Sequence, residues 1–283
     1  MSSGQASARN IFFNHSNMQN PTMKIIYRYV VAAIFLVATF GFAANTYSQS
    51  VDESDADNLP LPSSLFAKHI EAVGGEENLR AHTTRTIYGI LIINAYNITG
   101  DIEIVAEAPN KLSTTIELGQ FGTSRSGYNG TVGWSMDPMS GNRVLQGEAL
   151  QGMIQSSDFY ADNLNLGKGA IKQETIETVT FEDEEHYKVL LVDENGEEST
   201  LYFSKETGLL SGMDRMQFGL SGRVPTEIRL SNYVEFDGIK TASKFTSVQS
   251  GIKTIVELDS VSYAPPADNA FELPAVIQSK IGQ

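Results

Sequence analysis

Between residues 83 and 265 the chain is a succession of short segments in which apolar and polar residues alternate. The segments are rich in Ile, Val and Thr, as in "TIYGILIINAY", "ITGDIEIVAEAP" and "HYKVLLVDE". Alternation with a period of two places every second side chain on the same face of a β-strand. The loops between the segments are short, and short loops join antiparallel neighbours. The pattern therefore predicts roughly eleven antiparallel strands in one domain.

Explicit turn signals separate several of these strands. Asn129-Gly130, Asn195-Gly196 and Asp237-Gly238 each stand between two alternating segments. Such pairs favour hairpins because both residues tolerate a positive φ. The first pair joins "FGTSRSGY" to "TVGWSMD". The stretch that contains the single tryptophan, Trp134, is therefore predicted to be a hairpin and not a catalytic loop.

Two segments have helical periodicity. In "SSLFAKHIEAVGG" the apolar residues recur at helical spacing, Ser63 or Ser64 is placed to cap the helix, and Gly74-Gly75 ends it. A second helix is predicted within "GEALQGMIQSSDFYADN", between two of the strands. A meandering sheet of this length has to curl. Curling creates a concave apolar face, which helices, side chains or a ligand must fill.

The amino-terminal region has the three parts of a secretory signal peptide. Lys24 and Arg28 precede an apolar run from Val30 to Phe42, and small residues follow through Ser48. The run is about thirteen residues long, shorter than the roughly 20 that a membrane span needs, so an uncleaved anchor is the weaker alternative. We expect the true start to be Met23 and cleavage to follow Ser48. The expected division is 1–48 for the signal region, 49–62 for an acidic linker, 63–275 for a single β domain and 276–283 for a tail.

Cysteine and charge narrow the compartment and the partners. The chain has no cysteine, so it carries neither disulfides nor the lipidated cysteine of a lipoprotein, and a periplasmic location without a lipid anchor is expected. The formal net charge is −14. Such a surface repels phosphate backbones and anionic headgroups. Nucleic-acid binding is therefore disfavoured, whereas a basic protein partner in the envelope is favoured.

No catalytic or metal-binding motif is present in the sequence. "GWSMD" has Asp137 where a nucleophile elbow needs its second glycine, and it falls in a predicted hairpin. The acidic run before His186 lacks the ligand spacing and the glycine of a calcium loop. Without cysteine there is no thiolate zinc site. We therefore expect no catalytic residue, no metal and no cofactor.

The remaining candidates are apolar. Methionines and aromatic residues concentrate around the central hairpin, the second helix and one late strand, and methionines adapt to irregular apolar shapes. These residues are predicted to line a hydrophobic cavity for an acyl chain; the alternative, that they are ordinary core residues, stays open for each one. The candidates are Trp134, Met136, Leu150, Met153, Ile154, Met213, Met216 and Phe218.

The order of these signals resembles that of the LolA/LolB-like family of bacterial outer-membrane lipoprotein-sorting proteins. The matching pieces are "LFAKHIEAVGGEENLRAHTTRTIYGIL", "GDIEIVAEAPNKLSTTIELG", "YNGTVGWSMDP", "LQGEALQGMIQSSDFY", "YFSKETGLLSGM" and "NYVEFDGIKTASKF". The resemblance implies a mainly β fold, an unclosed antiparallel β-barrel covered by helices with a hydrophobic cavity between. It also implies a non-enzymatic carrier or receptor that shields acyl chains in the periplasm. The missing lipidation cysteine favours the soluble type, and no functional residue of the family can be assigned to a particular arginine here.

Three functional hypotheses follow. The first is a periplasmic carrier that holds a lipid, a lipoprotein or another hydrophobic ligand inside the curved sheet. The second is a non-enzymatic envelope module with a filled core and an acidic face that docks a protein partner. The third is a secreted hydrolase, which requires His and carboxylate side chains clustered in three dimensions. A monomer is expected in each case.

Overall fold

The computed structural model describes residues 59–138, 140–219 and 222–281. The signal peptide predicted within 1–48, and most of the linker predicted at 49–62, lie outside these ranges. Thirteen strands form one antiparallel sheet, two more than the sequence pattern predicts. They are β1 (Thr84–Ile93), β2 (Ile98–Glu107), β3 (Lys111–Glu117), β4 (Thr123–Tyr128), β5 (Gly133–Asp137), β6 (Gly141–Val144), β7 (Lys172–Phe181), β8 (Glu184–Val192), β9 (Glu198–Ser204), β10 (Leu210–Gly219), β11 (Gly222–Phe236), β12 (Ile239–Gln249) and β13 (Ile252–Ser262).

The sheet consists of two meanders joined through its first and last strands. The strand order is β6-β5-β4-β3-β2-β1-β13-β12-β11-β10-β9-β8-β7. Within each meander every strand pairs with its sequence neighbour, and β1 pairs with β13, with Leu91 opposite Val256. Strands β6 and β7 are neighbours in sequence but form the two opposite edges of the sheet. The sheet is therefore continuous and not closed into a barrel.

Four α-helices accompany the sheet in the described ranges, besides two three-residue 3-10 helices at Asn94–Tyr96 and Gly119–Phe121. The α-helices are α1 (Pro62–Val73), α2 (Glu76–Ala81), α3 (Gly147–Ser156) and α4 (Ala275–Gln278). Helix α3 lies in the connection from β6 to β7 and contacts β4 and β5 in the first meander and β10 in the second. Six strands separate β4 from β10 in the sheet order. In a flat sheet these two strands would be about 34 Å apart, whereas a ten-residue helix spans only about 15 Å. The sheet therefore curves around α3, and the prediction of a curved antiparallel sheet is confirmed.

The start of α1 differs from the sequence prediction. Pro62 takes the first helical position, and Leu61 precedes it without a side-chain cap. Proline suits this position because its fixed φ is helical. It lacks an N–H group, but an N–H group at the first helical position would have no partner within the helix. Ser64 lies inside the first turn, where its hydroxyl donates to the carbonyl of Leu61 at 2.7 Å. The predicted serine cap is thus wrong, while the predicted end holds: Gly74 follows Val73 with a φ of +135°.

The hairpin around Asn129-Gly130 is confirmed, with a longer loop than the two-residue turn that the pair favours. Strand β4 ends at Tyr128 and β5 begins at Gly133. The side chain of Asn129 accepts hydrogen bonds from the N–H groups of Thr131 and Val132 at 3.0 and 2.8 Å. An Asx side chain that binds its own loop in this way replaces a backbone turn. Gly130 supplies the positive φ, at +93°.

The hydrophobic core lies on the face of the sheet that α1 and α3 cover, which we call the inner face. Both meanders contribute to it, and their inner-face side chains are in register across neighbouring strands. Leu65 of α1 and Met153 of α3 belong to the same core. The strand residues of this core include Ile87, Leu91, Ile102, Ile104, Leu112, Ile116, Val189, Leu201, Phe203, Met213, Ile228, Leu230, Phe245 and Val256.

The chain after β13 packs on the opposite, outer face of the first meander. The ammonium group of Lys111 on β3 lies 5.5 Å from the ring centroid of Phe271, and α4 contacts β6. Ile277 within α4 is fully buried. The boundary predicted at residue 275 therefore falls at the start of a packed helix.

Candidate functional site

The candidate site is the part of the inner face beneath α3. This helix approaches the sheet closely at Gly133 on β5, where a Cβ atom would stand 2.7 Å from Cδ1 of Leu150. Met153 is 1% exposed, and Leu150 and Ile154 pack against the same core. On the sheet side, Met213 of β10 is buried within that core. Four of the eight predicted residues are thus brought together between α3 and the inner face.

Three other predicted residues lie on the outer face. Trp134 follows Gly133 directly on β5, so its side chain points away from α3, and Met136 shares its side. Met216 is three positions after Met213 on β10, and an odd separation on a strand places two side chains on opposite faces. Phe218 lies on β10, with its side chain outside the described part of the structure.

A small cleft opens at one end of the inner face, beside the carboxyl end of α3. Its free volume of about 10 Å³ is the space of about one water molecule. Both apolar and polar residues line it. The lining residues are Arg85, Ile104, Ala106, Leu112, Ser156, Ser157, Asp158, Phe159, Ala161 and Asp162.

Arg85 fixes the chain that follows α3 to the sheet. Its guanidinium group lies 3.2 Å from Oδ2 of Asp162 and 5.4 Å from the ring centroid of Phe159. Burial is the largest single effect and lowers the pKa of Arg85, but the electrostatic interactions with Asp162 and Tyr263 and the hydrogen bond to Asp162 together outweigh it. The pKa of Arg85 therefore lies above its usual value. The hydroxyl of Tyr160 also donates to the carbonyl of His82 at 3.2 Å. The connection is therefore held at this end by polar contacts as well as by apolar packing.

His69 joins α1 to the same connection and to β10. The N–H of Leu210 donates to Nδ1 of His69 at 3.2 Å, so Nε2 carries the proton and donates to Oδ1 of Asn163, also at 3.2 Å. Burial lowers the pKa of His69 to about 4, against the smaller raising effects of Asn163 and Asp162. The imidazole is therefore neutral at neutral pH, and both of its nitrogens are used. The position of His69 close to the apolar stripe of the first helix predicts a core or groove-edge residue, which its 2% exposure confirms, but does not indicate these partners.

Arg215 is a second inner-face residue that the sequence analysis did not single out. Arg215 is two positions after Met213 on β10, and residues two positions apart on a strand have their side chains on the same face. Burial lowers the pKa of Arg215 to about 10. A usable signal was available: a charged residue at the apolar phase of an alternating strand marks a buried polar position.

In the described ranges no group of three or more His, Asp or Glu side chains is placed to hold a metal ion. None of the helices in the same ranges is long and apolar enough to cross a lipid bilayer.

The comparisons with known proteins concern the fold. No family model matches the chain, and no curated protein matches its sequence. Among solved structures, the chain is similar to a LolA superfamily protein from Nitrosomonas europaea, with a TM-score of 0.50 and 11% identity, covering 76% of this chain and 99% of that one. It is also similar to a DUF1329 family protein from Desulfovibrio piger, with a TM-score of 0.52 and 11% identity, covering 76% of this chain and 98% of that one. The thirteen-stranded open sheet with its crossing helix is thus a divergent LolA-like fold.

Proposed function

We propose that this protein is a non-enzymatic periplasmic carrier that holds the acyl chain of a lipid or lipoprotein against the inner face of the sheet. The observation that carries the proposal is the position of α3. This helix packs Leu150, Met153 and Ile154 against the hydrophobic core, yet it belongs to a connection that crosses from one sheet edge to the other. Displacing it exposes apolar core residues of the inner face without breaking any strand pairing.

The energetics favour exchange of the helix for an acyl chain. Each methylene group that is removed from water stabilises the complex by about 0.8 kcal/mol. Ten methylenes therefore contribute about 8 kcal/mol, enough to offset the loss of a few apolar helix contacts at roughly 1.5–3 kcal/mol each. An acyl chain that takes the place of the apolar side chains of α3 covers the same core residues that the displaced helix no longer buries.

The second candidate is an interaction module whose interior stays filled. The cleft beside α3 has room for only about one water molecule, which favours this alternative for the closed form. The net charge of −14 would then attract a basic protein partner. This candidate predicts association that weakens as salt concentration rises.

Native mass spectrometry separates the two. The full chain would be produced in a bacterial host, purified without detergent and extracted with organic solvent. The carrier predicts a bound mass that extracts as lipid, or that appears after addition of a lipopeptide. If only the mass of the unliganded protein is observed, and neither lipid nor lipopeptide is taken up, the carrier function is rejected and the interaction module remains.

Two methionine variants make the test specific to the inner face. Met153→Glu places a charge on the buried side of α3 and should abolish the bound mass. Met136→Glu makes the same change on the outer face and should leave the bound mass in place. Circular dichroism on both proteins distinguishes loss of ligand from loss of fold. Equal loss of lipid in two folded variants would contradict an inner-face site.

A further inference from the structure

A polar band crosses the inner face of the second meander. Arg215 on β10 lies opposite Ser199 of β9 and Thr226 of β11, and Thr226 lies opposite Gln249 of β12. Residues that are directly opposite in a sheet have their side chains on the same face. The four residues therefore form one row across four neighbouring strands, which we call the polar band.

Hydrogen bonds tie the polar band to the next inner-face residue of β10. The amide nitrogen of Gln249 donates to Oγ1 of Thr226 at 2.8 Å and to Oε1 of Gln217 at 3.2 Å. Gln217 is two positions after Arg215 and shares its face. Gln217, Thr226 and Gln249 are between 1% and 6% exposed. These side chains are thus fixed in position and buried, unlike solvated polar groups at a strand end.

An apolar row lies directly beside the polar band. Met213 precedes Arg215 by two residues, which is about 7 Å along the strand. It lies opposite Leu201 of β9 and Ile228 of β11, and all three are 3% exposed or less. At one end of the inner face, an apolar row and a polar row are therefore only two residues apart along each strand.

Arg215 is the cation of the band. Its Nε atom is buried, and although burial lowers its pKa to about 10, the group keeps its charge at neutral pH. A guanidinium group offers five donors in a planar arrangement that matches two oxygens of a carboxylate or phosphate. The chain as a whole is acidic, with a net charge of −14. Arg215 as a whole is half-buried, and on the inner face it gives an anionic ligand a local attraction that the acidic surface does not offer.

We propose that the polar band binds the anionic head of the acyl ligand, a carboxylate or phosphate held by Arg215, while the acyl chain lies along Met213, Leu201 and Ile228. This inference rests on the carrier function and extends it by assigning a charge to the ligand. Helix α3 contacts β10, so the bound ligand runs beneath α3. Neutral lipids of the same chain length lack the group that Arg215 binds.

The test compares an acid with its ester. Hexadecanoate below its critical micelle concentration and methyl hexadecanoate below its solubility limit are titrated into the full chain and followed calorimetrically. We expect hexadecanoate to bind about tenfold more tightly, as expected for one charge-assisted hydrogen-bonded pair. In Arg215→Gln the preference should fall to about one while the affinity for the ester stays unchanged. Arg229→Gln, on the outer face of β11, is the matched control and should keep the preference.

The other outcomes are equally informative. Equal affinity of the wild-type protein for acid and ester overturns this inference and leaves the carrier intact. Loss of both ligands in a folded Arg215→Gln variant indicates a structural arginine and also overturns it. Competition by inorganic phosphate alone at millimolar concentration points to a free anion as the ligand, against a lipid head. If neither acid nor ester binds, the carrier function fails together with the inference.

Discussion

Trp134 on β5 lies across Gly127 on β4, so closely that a Cβ atom at Gly127 would stand 3.1 Å from Cζ2 of the indole ring and 2.6 Å from the backbone oxygen of Leu112. The two residues face each other across the strand pair, on the outer face. Trp134 is only 3% exposed. The single tryptophan of the chain therefore reports on the packing of the outer face of the first meander.

The contact makes Gly127 sensitive to substitution. Gly127→Ala should destabilise the protein by about 2 kcal/mol, because the added methyl group meets a backbone carbonyl that cannot move freely. Gly133→Ala should cost less, since its nearest obstacle is the flexible end of Leu150. Urea unfolding followed by Trp134 fluorescence measures both. A larger loss in Gly133→Ala than in Gly127→Ala would contradict the packing described here.

His69 makes stability depend on pH. Its pKa is about 4 in the folded protein, below the ordinary value of 6.5. As pH falls from 6.5 towards 4, His69 binds a proton in the unfolded chain but stays neutral in the folded protein. The free energy of unfolding therefore falls. Between pH 7 and pH 5 the expected loss is about 2 kcal/mol. Urea midpoints at the two pH values check this, and His69→Gln should show a smaller decrease over the same interval; an equal decrease would remove His69 as the cause.

The pairing of Arg85 with Asp162 should contribute more than a surface ion pair. The side chains are 15% and 27% exposed, against 58% and 59% for Arg80 and Glu76. A double-mutant cycle to alanine should give a coupling energy of about 1–2 kcal/mol for the first pair and about 0.3–0.5 kcal/mol for the second, which is an i,i+4 helix pair. Equal coupling energies would show that Arg85 does not anchor the connection after α3.

Ligand retention should follow the face of the sheet on which a residue lies. Trp134→Phe and Met216→Leu change outer-face side chains and should leave any extracted lipid unchanged in amount. Met213→Glu puts a charge into the inner core and should remove the lipid. Quantified extraction from equal amounts of folded protein is the measurement. Loss of lipid in Trp134→Phe would indicate that Trp134 contributes to the ligand site, as the sequence predicted.

The strands could be predicted from sequence because each alternates on its own. Which phase of the alternation faces inward could not, since both faces of the first meander are covered: α3 lies on one side and the carboxyl-terminal segment on the other. Trp134 and Met136 were therefore grouped with Leu150, although they lie across the sheet from it. Met213 and Met216 could have been separated, because their odd spacing on a strand is visible in the sequence.

The path of the connection that contains α3 could not be predicted from the sequence either. A helix between two strands is readable from its period, but nothing local indicates that β6 and β7 lie at opposite edges. That arrangement depends on the pairing of β1 with β13, a contact between the two ends of the domain. The hydrogen-bond partners of His69 could not be predicted for the same reason, because Asn163 and Leu210 are distant in sequence.

The pairing of β1 with β13 has a consequence for synthesis. A chain that emerges from its amino end completes the first meander early, but β1 keeps one open, apolar edge until the last strand arrives. Non-local closure of this kind slows folding and leaves an edge on which other chains can add. The nascent protein is therefore most exposed to aggregation in the interval before β13 emerges, and a truncation that removes β13 should leave the sheet in two separate halves.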